Sequence, residues 1–192
     1  MSQKEPLPHD AQSSLRSIHT IVWIALMAAL TAVGAMVSIP VVPFSPVPIS
    51  LQTMFVLLAG LILGPRGGAF AMLLYLAAGC LGLPVFTGGK AGLAAFLGPT
   101  GGFLFGFVPA AILCGFAKST PVKPYWILLL YCAAATAVTL ALGTAQLAVL
   151  LKISVGKALA VGVIPFLPGA ALKCFGAAYI YRFLAVRRLI PA

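Results

Sequence analysis

The sequence is almost devoid of acidic side chains. Of its 192 residues only two are acidic, against 12 lysines and arginines. Both acids, Glu5 and Asp10, lie within the first ten residues. A proton relay or a sodium site built from carboxylates is therefore excluded from the rest of the chain. Histidine is equally scarce, with His9 and His19 alone. Because no acid–base or nucleophilic group is arranged for catalysis, we expect no catalytic residue and no enzymatic activity.

Two further absences narrow the class of protein. No phosphate-binding loop of the G-x-x-x-x-G-K-[ST] type occurs, since the glycine clusters GPRGGA and GPTGGF lack its lysine. Uphill transport would therefore need energy from a partner. The four cysteines are far apart in apolar segments and have no histidine nearby, which is typical of small buried side chains and predicts neither a metal site nor a disulfide nor a cofactor. These cysteines are Cys80, Cys114, Cys132 and Cys174.

What the sequence has in abundance is apolar surface. It is 62% hydrophobic and 7% charged, with a mean hydropathy of +1.14. A soluble domain of this size could not expose so much apolar surface to water. The long apolar runs do not alternate, so they predict an all-α integral membrane protein, a helical bundle that forms one domain. The basic residues are scattered between the runs. This distribution is typical of loops whose positive charge is retained on the cytoplasmic side of a membrane, and it does not indicate nucleic-acid binding.

The apolar runs predict six membrane-spanning helices. A cytoplasmic tail is expected at 1–20, followed by a single membrane domain over 21–192 with spans at about 21–39, 49–63, 67–81, 101–117, 125–151 and 168–186. Six spans put both termini on one side of the membrane. That side would carry Lys4, Arg16, Arg66, Lys118, Lys123, Arg182, Arg187 and Arg188, and the other side Lys90, Lys152 and Lys157. The excess of basic residues predicts cytoplasmic termini.

Three connecting segments would then lie together on the outer side. They are the proline-rich segment 40–48, the glycine-rich segment 82–109 and the segment 152–167. The glycine-rich segment contains eight glycines and three prolines in 28 residues, a composition that favours a shaped loop running into a helix. We expect this loop to cover a binding site, with the other two segments converging on the same cavity.

Lys173 is the most informative single residue. It lies about a turn and a half inside the last predicted helix, and no acidic side chain of the bundle can neutralise it. An anionic ligand is one source of the counter-charge; snorkelling to the outer interface is the alternative.

Ser50, Gln52 and Thr53 open the second span. Capping suffices for Ser50, whereas for Gln52 capping and ligand contact both remain open. Lys90 would either add to the positive electrostatic potential around Lys173 or simply be solvated.

The first span carries small residues at helical spacing. Ala25 and Ala29 lie one turn apart, and Ala32 follows on the offset row with Ala28. Small side chains at such spacing allow another helix to approach closely. Packing within the bundle and docking of a partner subunit are both compatible with the pattern.

Five motifs together resemble a known family, the biotin-binding S components of energy-coupling-factor (ECF) transporters, the BioY family. They are PFSPVPISLQT at 43–53, GLILGPRGG at 60–68, GLPVFTGG at 82–89, FLGPTGGFLFGF at 96–107 and PFLPGAALK at 165–173. The resemblance implies a six-helix protein of the bacterial cytoplasmic membrane that captures biotin from outside. It also implies two kinds of partner, a transmembrane coupling subunit and two ATPase subunits.

The resemblance assigns roles to particular residues. Ala25, Ala29 and Ala32 would dock the coupling subunit. The ligand-binding residues would be Gln52, Thr53, Phe86, Thr87, Gly88, Gly89, Lys90 and Lys173. A self-sufficient facilitator or channel for a small carboxylated solute is the alternative function.

Two positions depart from the family's pattern. The last motif usually reads P-G-D-x-x-K, and its acid and lysine contact biotin; here the lysine is Lys173 but the acidic position is Ala170. Some relatives have asparagine after the Gly-Gly of the third loop, where this chain has Lys90. Alanine cannot accept hydrogen bonds from the ureido ring. Biotin is the expected ligand, with a related carboxylated compound as the alternative.

Overall fold

The computed structural model describes residues 9–119 and 122–190, with side chains from residue 18 onward. In this part of the chain the fold is mostly helical, as predicted. The elements are α1 (His9–Met36), β1 (Ser38–Ile39), β2 (Ile49–Ser50), α2 (Gln52–Cys80), α3 (Ala94–Leu97), α4 (Gly101–Gly115), α5 (Tyr125–Leu151), α6 (Val155–Gly162), a 3-10 turn (Ile164–Phe166) and α7 (Leu167–Val186). Within the described residues, four helical stretches are long and apolar enough to cross a membrane, and α4 is a shorter apolar helix.

Element α2 is a helical hairpin and not one straight helix. Gly64 has φ +77° in its middle, and Pro65 supplies no backbone donor. A Cβ on Gly68 would lie 2.9 Å from the Cα of Gly60, and the side chains of Gln52 and Tyr75 are hydrogen-bonded. In a straight helix, positions 23 residues apart would be separated by about 35 Å. The arms 52–63 and 65–80 therefore run in opposite directions.

Several observed boundaries differ from the sequence-based ones. Helix α1 begins at His9 and not near residue 21, and its apolar, span-length part is Ile18–Met36. That residues 9–20 form a cytoplasmic tail stays a prediction, and residues 1–8 lie outside the described part. Polar residues extend the helix because its backbone is satisfied internally whether or not lipid surrounds it. The helix ends at Met36, before Pro40, because Ser38 pairs with Ser50 and Ile39 with Ile49 in a short antiparallel ladder.

The same ladder moves the start of the second predicted span. Ile49 and Ser50 are strand residues, so α2 begins at Gln52. The remaining apolar helices lie within two residues of their predicted ends, and α5 has its predicted range. Part of the connecting segment 152–167 forms α6, which the sequence did not indicate as a helix.

Glycine allows the central helices to approach closely. A Cβ on Gly60 would lie 2.4 Å from the carbonyl oxygen of Ala111, and one on Gly106 would lie 2.9 Å from the Cα of Thr139. The first contact joins the α2 hairpin to α4, and the second joins α4 to α5. All four cysteines are free thiols, and those of Cys114 and Cys132 contact each other at 3.8 Å between α4 and α5.

The two ends of the bundle differ in charge. At one end Arg66 and Lys118 line the same depression, and the Nζ of Lys123 donates to the carbonyl of Phe116 over 2.9 Å. At the other end the segments that follow α1, α2 and α5 meet around a cavity. Arg66, Lys118 and Lys123 thus lie at the end away from the cavity, whereas Lys90, Lys152 and Lys157 belong to the segments that follow α2 and α5.

Candidate functional site

The cavity has an empty volume of about 650 Å³, part of which is open to solvent. Its wall comes from three connecting segments together with α2, α4, α5 and α7. The lining is apolar at Val47, Pro48, Phe86, Phe103, Leu104, Phe107, Leu140, Phe166 and Ala170, and polar at Ser50, Gln52, Thr53, Thr87, Thr100, Thr136, Thr139 and Lys173. An apolar lining with a few convergent polar groups is typical of a small-molecule site.

Lys173 is the one charged residue in the cavity lining. It lies six residues after Leu167, the first residue of α7, which corresponds to about 9 Å along the helix. Its Nζ donates a hydrogen bond to Oγ1 of Thr53, at 3.1 Å, on the first arm of α2. The ammonium is thus directed across the cavity wall toward α2 and is half-buried. Among the residues whose side chains are described, no carboxylate lines the cavity, so the positive charge is available to an anionic ligand.

The side-chain amide of Gln52 is the centre of a buried polar network. Gln52 is only 3% exposed. Its Oε1 accepts hydrogen bonds from Ser50 Oγ at 3.0 Å and from Thr87 Oγ1 at 2.5 Å, and its Nε2 donates to the Tyr75 hydroxyl. That hydroxyl donates in turn to the carbonyl of Val85, at 3.1 Å. One amide thus ties the start of α2 to its second arm and to the glycine-rich loop.

The glycine-rich loop places its residues on two different surfaces. Phe86 and Thr87 are buried and line the cavity. Gly88 and Gly89, with φ of +76° and +71°, then reverse the chain so that the Phe86 N–H donates to the carbonyl of Lys90 at 3.0 Å. The two glycines shape the turn without lining the cavity.

The Lys90 side chain lies outside the cavity. It is exposed and lines a separate depression beside α3. The only residue that lines both this depression and the cavity is Thr100. The structure therefore brings Gln52, Thr53, Phe86, Thr87 and Lys173 together and leaves Lys90 on the rim.

Several lining residues were not anticipated from the sequence. Phe103 and Phe107 lie one turn apart on α4, and Thr136 and Thr139 lie on one face of α5. The Thr139 hydroxyl donates to the carbonyl of Ala135 at 3.2 Å, a local bond that any helical threonine can form. The useful signal would have been the spacing of these two threonines, which places both on one face of a largely apolar helix.

The alanines of α1 are not part of the cavity. Ala25 and Ala29 are exposed, and Ala32 is half-buried against the core. The neighbouring Ala28 is 7% exposed and belongs to the core. Two of the three predicted docking residues are therefore on the outer surface of the bundle.

The cavity combines one cation, several hydroxyls and an aromatic wall. Such a lining suits a small and largely apolar molecule with one negative group, because the lysine would bind the charge and the rings would bury the remainder. Among the described residues no group of three or more His, Cys, Asp or Glu side chains is arranged to hold a metal ion.

Comparison with known proteins gives consistent matches. Residues 4–192 match the model of the BioY family. The chain is 36% identical over 186 residues to the biotin transporter BioY of Rhizobium etli, covering 92% of this chain and 98% of that protein. With the biotin transporter BioY of Thermotoga maritima the identity is 37% over 158 residues, covering 81% and 89%.

Other matches are shorter or structural. A stretch of 95 residues is 46% identical to the probable biotin transporter BioY of Pyrococcus horikoshii, covering 50% of this chain and 57% of that protein, so the chain spans little more than half the length of that relative. A crystal structure described as the S-component for biotin from an ECF-type ABC transporter has a TM-score of 0.81 and 29% identity, covering 93% of this chain and 94% of that one. From the extent of these matches, the chain belongs to the BioY family.

Proposed function

We propose that this protein is the S component that captures biotin for an ECF transporter. The observation that carries the proposal is the cavity, in which Lys173 is the one charge and aromatic side chains form much of the wall. Biotin has a matching composition, since it consists of a compact ring system with an apolar chain and one carboxylate. Membership of the BioY family and the likeness to a solved S component for biotin support this assignment.

In this proposal Lys173 binds the carboxylate of biotin. The ammonium is already held by Thr53, so little side-chain entropy is lost when the ligand binds. The ureido N–H groups need acceptors, and the family's acidic residue is replaced by Ala170. Hydroxyl oxygens of the lining threonines are the acceptors that remain, because a hydroxyl can accept as well as donate.

The binding experiment compares Lys173→Met with the parent protein. Methionine keeps much of the length of the side chain and removes its charge. Since hydrogen bonds to charged groups contribute about 1.5–3 kcal/mol, we expect the Kd for biotin to rise about 10- to 150-fold. Calorimetry or a labelled-biotin assay on purified protein would measure it. Lys157→Met, on α6 and outside the cavity lining, is the matched control and should bind like the parent.

Biotin amide is neutral, so a comparison with biotin separates the contribution of the ligand's charge to affinity from that of its ring. The parent should bind the amide more weakly than biotin, and Lys173→Met should bind both about equally. If Lys173→Met weakened the binding of biotin and of biotin amide by the same factor, this result would contradict the role of Lys173 in binding the carboxylate. Weak binding of biotin by the parent itself would instead refute biotin as the ligand and favour another carboxylated solute.

The membrane arrangement is part of the proposal. The two arms of α2 together with α1, α4, α5 and α7 would form six crossings of the bacterial cytoplasmic membrane. The termini and the basic end would lie in the cytoplasm and the cavity at the outer face. A transmembrane coupling subunit would dock on the exposed surface at Ala25 and Ala29, close to Ala32, and two ATPase subunits would energise delivery of biotin.

Two measurements test this arrangement. Ala25→Leu with Ala29→Leu should abolish co-purification with the coupling subunit and leave biotin binding unchanged, because neither side chain lines the cavity. Leu26→Ala, also exposed on α1, is the control. Uptake of biotin by proteoliposomes that contain this protein alone would instead favour a self-sufficient facilitator.

A further inference from the structure

A second depression lies at the basic end of the bundle. It forms where the α2 hairpin turns beside the end of α4, and its empty volume is about 950 Å³, which includes open solvent. Arg66 and Lys118 line it, together with the turn residue Gly64 and the exposed ring of Phe116. The two cations come from segments that are far apart in sequence and meet only through the fold.

Further cationic and aromatic side chains belong to the segments next to this depression, although Lys123, Tyr131 and Phe70 do not line it. The Nζ of Lys123 binds the Phe116 carbonyl at 2.9 Å and lies 4.9 Å from the centroid of the Tyr131 ring. Phe116 is 56% exposed, and Phe70, one turn beyond Arg66, is 60% exposed. Burial of Lys118 lowers its pKa from the ordinary value because the ammonium loses hydration, and a nearby anion would counteract this loss.

The position of the depression indicates which anion it suits. It lies at the turn between the two arms of α2, and in the membrane arrangement proposed above this turn is at the boundary between the bilayer and water. Phosphate headgroups are concentrated at this depth, and basic pockets at helix ends bind anionic lipids. An acidic peptide would need no exposed phenylalanines beside the cations, whereas acyl chains would contact them.

We propose that the depression at the α2 turn binds the phosphate of an anionic phospholipid. Arg66 presents the planar guanidinium that matches phosphate oxygens, and Lys118 and Lys123 add positive charge. The acyl chains lie along the bundle surface near Phe70 and Phe116. This site is at the opposite end from the biotin cavity and does not depend on the ligand proposed there.

The test compares lipids with identical acyl chains and different headgroups. Phosphatidylglycerol, added to the detergent-purified protein, should raise the Tm by several degrees, and phosphatidylcholine should have a much smaller effect. The shift should shrink as salt is added. In Arg66→Gln with Lys118→Gln the difference between the two lipids should disappear.

The matched control is Lys152→Gln with Lys157→Gln. It removes the same formal charge at the other end of the bundle and should keep the response to phosphatidylglycerol. Arg66→Lys should give an intermediate shift, because the charge stays and the bidentate geometry is lost. Folding of each variant is checked by size-exclusion chromatography, which needs no biotin.

Three results would overturn the proposal. They are equal shifts with both lipids in the parent, a full shift in Arg66→Gln with Lys118→Gln, and an equal shift with inorganic phosphate alone. The last result would identify a site for soluble anions and not for lipid. Failure of biotin binding would leave these measurements unaffected.

Discussion

The amide of Gln52 shows how one buried residue can shape a binding cavity. Its oxygen accepts two hydroxyl hydrogens and its nitrogen donates to Tyr75. A buried donor or acceptor that loses its partner costs more free energy than an intact hydrogen bond contributes. The network therefore holds Thr87 and the Val85 carbonyl in place around the cavity, and Gln52 is both a lining residue and a support for the lining.

We expect Gln52→Leu to destabilise the protein. The substitution keeps the volume approximately and leaves the Tyr75 and Thr87 hydroxyls each without one partner, at a cost of roughly 1–3 kcal/mol for each buried group. Thermal unfolding with and without biotin would measure the loss. Tyr75→Phe, which removes one hydroxyl and keeps the ring, should cost less. An unchanged Tm in Gln52→Leu would show that the network contributes nothing to stability.

Residue identity explains which parts of the site the sequence could indicate. Lys173 was conspicuous because an ammonium inside an apolar helix needs a counter-charge. Thr136 and Thr139 were not, because a threonine hydroxyl in a helix is satisfied by the preceding turn. The placement of Lys90 depends on the left-handed conformations of Gly88 and Gly89, which allow the sharp turn but which no residue pattern specifies uniquely.

At the scale of elements, the helix hairpin and the glycine contacts determine where the cavity forms. The predicted spans 49–63 and 67–81 correspond closely to the arms of α2, because the turn chemistry of Gly64 and Pro65 is local. The β1–β2 pairing was not predictable from strands of two residues, since it depends on the conformation of the proline-rich segment 40–48 between them. The extension of α1 was missed because polarity marks the membrane boundary and not the helix end.

The contact between α4 and α5 gives a prediction about packing. In Gly106→Ala the new Cβ would lie 2.9 Å from the Cα of Thr139, and backbone atoms cannot move aside as a side chain can. Since Thr139 lines the cavity, we expect a lower Tm and weaker biotin binding, with a loss of stability of about 1–3 kcal/mol.

Gly156→Ala is the matched control for Gly106→Ala. Gly156 is also helical, and nothing lies within 4 Å of the Cβ it would gain. Alanine there should be neutral or stabilising by roughly 0.5–1 kcal/mol. If both variants unfold at the same temperature, the tight contact between α4 and α5 does not limit stability.

At the scale of the whole molecule, basic residues are present at both ends of the bundle but are unequally distributed. The depression with Arg66 and Lys118 lies at one end, and Lys152 follows α5 at the other. The excess of basic residues on the side of the termini is the basis of the predicted orientation, because basic residues are retained in the cytoplasm. The relative placement of the loops is visible in the fold, and their side of the membrane stays a prediction.

Labelling of introduced cysteines would test the orientation. In a background with the native cysteines replaced by serine or alanine, Lys90→Cys should react with a membrane-impermeant maleimide in intact cells. Arg188→Cys should react only after the cells are permeabilised. Both side chains are exposed in the structure, so access to the reagent depends on membrane side. The reverse pattern would place the termini outside.

The shortness of the arms of α2 has a consequence for the surrounding bilayer. The arms 52–63 and 65–80 contain 12 and 16 residues, about 18 and 24 Å of helix, and the 15 residues of α4 extend about 22 Å. A typical hydrocarbon core is about 30 Å thick. In the proposed arrangement of six crossings, lipid beside the exposed Phe70, Leu73 and Phe105 would therefore have to thin locally or leave part of each helix end unmatched.

We consequently expect stability to depend on acyl-chain length. In nanodiscs of a single headgroup, 14-carbon chains should give a higher Tm than 20-carbon chains, because the thinner bilayer needs less deformation. Equal or greater stability in the thicker bilayer would show that the loops make up the difference between the length of the helices and the thickness of the hydrocarbon core. A locally thin membrane would also shorten the distance that biotin travels between the two aqueous phases.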